Sequence, residues 1–161
     1  MSSELEILRA NMAACGQRIQ KLNYSLNKNR ALFPVTREGI EKLTDDQEES
    51  IDALILRYSQ CVAMIQDQIF RGIAYVEQED ISDKSNRDKS LLMEKLGAIK
   101  SADDFGSAAI LRNKFSHHYP EEADLRIERL NLVIDEAKFV IATFSDINEF
   151  LMRKGFATIP T

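Results

Sequence analysis

The stretch ELEILRANMAACGQRIQKLNYSL, residues 4–26, sets Leu5, Leu8, Met12, Cys15, Ile19, Leu22 and Leu26 at alternating intervals of three and four. A helix completes a turn in about 3.6 residues, so this rhythm lays one narrow apolar seam along a single helical face. The helix is predicted to end near Phe33, because Pro34 has no amide hydrogen to donate and disfavours helical geometry in the residue before it.

Downstream, a helical turn is expected around Arg37 to Leu43, and then Thr44 or Asp45 can cap a second long helix whose first turn is acidic. Its stripe runs Ile51, Leu54, Ile55, Tyr58, Val62, Ile65, Ile69, Ile73 and Val76, which predicts antiparallel packing against the first helix. The polar run from Glu77 to Ser85 breaks the pattern. A short helix from Asn86 to Leu96 should close at Gly97, and Ser101 should cap the next, which carries Phe105, Ala108, Ala109, Leu111 and Phe115 inward and runs into Pro120. A last long helix, from about Glu121 to Lys154, carries its main stripe on Ile127, Leu130, Ile134, Ala137, Ile141, Phe144 and Leu151. Val133, Val140 and Ile147 widen that stripe, and Gly155 ends the helix. The expected fold is all-α, an up-and-down bundle of four to five helices in a single domain spanning residues 1–161. The spare apolar surface on the first and last helices makes a homodimer the expected assembly.

A chain of 161 residues is the size of one domain, and its three prolines and six glycines leave long uninterrupted helix-forming segments. The formal net charge of -5 argues against a surface coated for nonspecific duplex binding, but it leaves room for a small basic site. The acidic runs Asp45-Asp46-Gln47-Glu48-Glu49 and Glu77 to Asp83 read as solvated helix ends and loops. Cys15 and Cys61 lie far apart on or beside apolar stripes, which predicts reduced core thiols rather than a disulfide or metal pair. The opening Met1-Ser2-Ser3-Glu4 has no basic-then-apolar pattern, and no apolar run approaches the roughly 20 residues that span a bilayer. A soluble, cytoplasmic protein without a membrane partner is the expectation.

The chain has only two histidines. They are adjacent, within Leu111-Arg112-Asn113-Lys114-Phe115-Ser116-His117-His118-Tyr119-Pro120. On an ideal helix Arg112 and Tyr119 face nearly the same way, while His117 stands about 140° round from Arg112. To join all three, the last turn must distort or a second copy must bring its own helix to the same cleft. The residue types suit cleavage of RNA without a metal or other cofactor. An imidazole titrating near neutrality can move the proton of a 2′-hydroxyl, and a guanidinium can clamp the phosphate as its charge grows. In this chemistry His117 is general acid or base, Arg112 stabilises the transition state, Tyr119 holds phosphate or substrate, and Asn113, Lys114 and His118 are auxiliary contacts. The same cations also suit a plain helix C-terminus, where positive charge is favoured. A metal site lacks a third ligand beside the histidines, and covalent catalysis lacks a nucleophile near them in sequence.

The span from Arg112 to Tyr119 resembles the R-x-x-x-x-H-x-Y motif of HEPN domains, in particular the HepT-like toxins paired with minimal nucleotidyltransferase antitoxins. Glu94-Lys95-Leu96-Gly97, Ser101-Ala102-Asp103-Asp104 and Leu111-Arg112-Asn113 are similar to that family's short helix, connection and motif helix, and the likeness extends over about Ile51 to Leu151. The resemblance implies a HEPN-like bundle in which Arg112 and His117 are the catalytic pair, with the motifs of a homodimer lining one cleft. It also implies RNA as substrate, a nucleotidyltransferase as partner, and Tyr119 as the adenylylation site. A departure from the family is the second histidine, His118, between His117 and Tyr119.

The alternative function is a non-catalytic nucleotide-binding or accessory subunit of a nucleotidyltransferase, with Arg112 and the histidines only holding phosphate. A third is an oligomeric scaffold. Asp67, with Arg57, Gln60, Met64, Gln68 and Arg71 around it, is a weaker candidate for a polar or dimer surface, and solvent exposure accounts for the same residues more simply.

Overall fold

In a computed structural model that describes residues 3–116 and 122–156, the seam of the first segment is the inner face of α1, Ser3–Asn29. Every residue of that seam is buried. A single 3₁₀ turn, Arg30–Leu32, finishes the helix ahead of Pro34. The short α2, Arg37–Glu41, starts at Thr36, whose hydroxyl accepts from the Gly39 amide.

Thr44 opens α3, Asp45–Met64, with a reciprocal cap. Its hydroxyl accepts from the Gln47 amide, and the Gln47 side chain accepts from the Thr44 amide. The two bonds satisfy amides that have no partner within the helix, and Asp45, Asp46 and Glu48 favour its positive end.

After α3 the helix widens into a π-helical turn, Ile65–Ile69, where the Phe70 amide donates to the Ile65 carbonyl five residues back, and it resumes as α4, Phe70–Val76. The physical reason is visible in the burial pattern. Cys61 and Val62, Ile65 and Gln66, Ile69 and Phe70, and Ile73 and Ala74 are buried as pairs every fourth residue. A regular α-helix rotates such a ladder out of the core by about 40° per step. One wider turn cancels part of that drift and keeps the ladder facing inward.

The hairpin of α1 with α3 and α4 is antiparallel, as expected. Asn29 donates from its side chain to the Ser50 carbonyl, Arg57 donates to Ser25 Oγ, and Gly72 packs against Leu8. Cys15 and Cys61 are buried free thiols. Burial pushes each of them up to about 12.

Ser85 caps α5, Asn86–Leu96, and Gly97 closes it in the left-handed conformation at φ 90°. Ser101 accepts from the Asp104 amide at the start of α6, Ala102–Ser116. The long α7 runs over Ala123–Arg153, and Gly155 follows it at φ 75°. The expected approach to Pro120 and the start at Glu121 lie outside the described residues.

The buried face of α7 is the expected stripe in part. Leu130, Ala137 and Leu151 are buried with the widening residues Val133, Val140 and Ile147, and Phe150 joins them, whereas Ile127, Ile134, Ile141 and Phe144 are only partly buried. Apolar residues cover so much of this helix that its own periodicity leaves two orientations open, and contact with α1, α3 and α6 selects between them. The described residues form an all-helical bundle without a strand, and none of their helices is long and apolar enough to cross a membrane.

Candidate functional site

Helix α6 carries the candidate motif, and three contacts hold it. Phe105 packs on Phe70, with ring centroids 4.9 Å apart. The buried Tyr58 phenol donates to the Ala108 carbonyl at 2.6 Å. At the far end, Arg129 of α7 donates from Nη1 to the Lys114 carbonyl at 3.1 Å. A guanidinium is a charged donor, so this bond ties α7 to the motif helix more strongly than a neutral donor would.

Arg112 is half-buried on this helix and Asn113 and Lys114 are exposed. The Arg112 Nη1 lies 3.4 Å from Asn113 Oδ1. Neither Arg112 nor Lys114 forms an ion pair among the described residues, in contrast to Arg37 with Asp124, Arg87 with Asp103 and Arg126 with Glu48. Two cationic side chains without an acidic partner at one helix end can receive an anion without first breaking a salt bridge. His117, His118 and Tyr119 lie outside the described residues, so Arg112, Asn113 and Lys114 are the candidate residues whose positions are described.

Sequence reasoning missed four residues near this helix end. Arg129 comes from a distant helix and carries no motif. Gln66, Asn86 and Ser90 line a cleft that Asn113 completes. Gln66 had one legible signal: it is the polar member of the buried series Val62, Gln66, Phe70 and Ala74. The Asp67 surface is an open, shallow depression shared with Arg18 and Gln60, and Asp67, Gln60 and Gln68 are all exposed. Arg57 turns away from it to donate to the Lys21 carbonyl and to Ser25. Among the described residues no group of three or more His, Cys, Asp or Glu is placed to hold a metal ion.

The fold defines a class, an all-helical bundle whose sixth helix carries Arg112 and Lys114 with no ion pair among the described residues. No protein-family model, curated protein or solved structure matches the chain.

Proposed function

We propose that this chain is a HEPN-type, metal-independent endoribonuclease, the toxin of a pair whose antitoxin is a minimal nucleotidyltransferase. The observation that carries the reading is the half-buried Arg112, without an ion-pair partner among the described residues, at the end of α6 and directly ahead of His117, His118 and Tyr119. In the proposed step the 2′-oxygen attacks its own phosphate and the P–O5′ bond breaks. The products are a 2′,3′-cyclic phosphate and a free 5′-hydroxyl. His117 takes the proton of the attacking hydroxyl or gives one to the leaving oxygen, and Arg112 balances the charge that gathers on the phosphoryl oxygens. A second subunit supplies the remaining protonation role from its own motif, which removes the 140° misfit of a single helix. Adenylylation of Tyr119 would place a phosphate-bearing nucleotide beside Arg112 and shut RNA out by charge and bulk.

The test is expression alone and with a cognate nucleotidyltransferase, together with cleavage of RNA by purified protein and the intact mass of the Tyr119-bearing chain. Growth arrest, cyclic-phosphate ends and a mass increase of one adenylyl group in the co-expressed protein are expected. Nucleotide or partner binding with no RNA turnover would replace this reading with that of a non-catalytic accessory subunit.

A further inference from the structure

Between the π-helical turn, α5 and α6 lies a cleft of about 230 Å³. Gln66 enters it from the π turn, Asn86 and Ser90 from α5, and Gly106, Ile110 and Asn113 from α6. Gln66 is only 5% exposed and Ser90 only 4%, yet the side chain of neither is hydrogen-bonded by any described residue. The polar atoms of these two side chains are not sealed in the core but open to the cleft, so their partners come from whatever fills it, solvent or ligand.

The guanidinium of Arg87 also lines the cleft but is engaged by Asp103, which leaves three carboxamides and a hydroxyl as its neutral donors and acceptors. Such a set suits neither an isolated anion nor a cation, but it does suit a neutral, planar ring with alternating donors and acceptors along its edge. Carboxamides pair with base edges through two hydrogen bonds at once, and Ile110, 58% exposed, supplies an apolar wall for a ring face. The cleft is smaller than the roughly 300–1,000 Å³ of ordinary ligand pockets, which limits it to a base rather than a whole nucleotide. Asn113 joins the cleft to the Arg112 guanidinium through their 3.4 Å contact, so phosphate and base would be held side by side.

We propose that this cleft is a subsite for one unpaired RNA base, read by Gln66 and Asn113 with help from Ser90, while Arg112 holds the adjoining phosphate. The inference rests on the ribonuclease reading for its choice of ligand, but its test does not depend on cleavage. The absence of a side chain at Gly106 keeps the cleft open. A Cβ built there meets only Arg87 Nη1, at 3.9 Å, so a larger residue can enter at little cost to the helix.

The experiment measures binding of the full chain to four homopolymeric 2′-fluoro oligonucleotides, which lack the attacking hydroxyl, by fluorescence anisotropy. The native chain should prefer one base by about tenfold over the weakest, the scale of one good bidentate contact. Gly106→Leu, which blocks the cleft with a strong helix former, and Gln66→Met, which keeps the bulk but removes the amide, should each erase that preference with thermal unfolding retained. Equal binding of all four oligonucleotides, or a preference that survives in both folded variants, would overturn the subsite. Unmodified RNA separates the two readings. Preference without cleavage supports the subsite and sinks the nuclease, whereas cleavage without preference sinks the subsite alone.

Discussion

The phenol of Tyr58 on α3 donates a 2.6 Å hydrogen bond to the main-chain carbonyl of Ala108 on α6, and both residues are fully buried. In a regular helix that carbonyl also receives the amide four residues on, which here is Arg112. The core is thereby joined to the helical turn that carries the candidate guanidinium, and the Tyr58 ring meets Phe115 edge-on at 6.3 Å in the turn beyond.

Tyr58→Phe tests how much that bond contributes. The Ala108 carbonyl keeps its helical partner, so the loss should be that of one ordinary hydrogen bond, about 1 kcal/mol, rather than of a stranded polar group. Thermal unfolding should fall by about 2–4 °C for a chain of this size. An unchanged midpoint would mean that the hydroxyl contributes nothing to holding α6.

Gly72→Ala sets helix propensity against packing. Alanine favours a helix over glycine by about 1 kcal/mol. A Cβ at this position, however, would stand 2.9 Å from Leu8 Cδ1 and 3.3 Å from Leu8 Cβ. The methyl end of Leu8 can rotate, but its Cβ can move only with the backbone of α1. Leu8 is also 1% exposed and has no free space to enter. Overpacking of about 1–3 kcal/mol should win, and the urea midpoint should drop. A raised midpoint would show that the hairpin separates more easily than this contact implies.

Alkaline pH should weaken the fold through its buried acids. Desolvation holds Cys15 and Cys61 protonated up to about 12, and it also raises Tyr58. In the unfolded chain thiols ionise near 8.5. The unfolded state therefore releases these protons first, and stability present below about pH 8.5 is lost as pH climbs toward 12. Urea melts from pH 7 to pH 10.5 should show a falling midpoint that flattens in a Cys15→Ala, Cys61→Ala double variant. The same burial predicts that both thiols resist iodoacetamide until the chain unfolds. Rapid labelling of the native protein would contradict the placement of these residues.

Arg112→Ala separates a site from a scaffold. The side chain is half-buried and makes no ion pair among the described residues, so its removal should change stability by no more than about 0.5 kcal/mol. Cleavage of RNA should fall by about 10²-fold or more, the scale of losing one transition-state charge partner. A large drop in thermal midpoint with unaltered cleavage would reverse both expectations and return Arg112 to a structural role.

Much of the local architecture was legible because it depends on neighbours in sequence. The seam of α1, the Thr44 cap, the bounds Asn86–Leu96 and the closing glycines each follow from a few consecutive residues. The π-helical turn was less legible, since its signal is a period close to four over Cys61 to Ala74, which is easily taken for an ordinary stripe. The candidate site was readable only as a motif around Arg112. The placement of Arg129 on the Lys114 carbonyl and of Gln66 and Ser90 beside Asn113 brings together residues from separate helices, and no short-range pattern records that.

Taken by itself, the order of amino acids determined that this chain is helical, where most of its helices begin and end, and that its two histidines stand with Arg112 and Tyr119 in one short stretch. Those properties arise from backbone hydrogen bonding and side-chain periodicity within one or two turns. Only the tertiary structure decided which half of α7 faces inward, where the helix must widen to keep Gln66 in the core, and which polar groups share a cleft beside Arg112. These depend on packing between segments far apart in sequence, where a helix with two plausible faces takes the one its neighbours can cover.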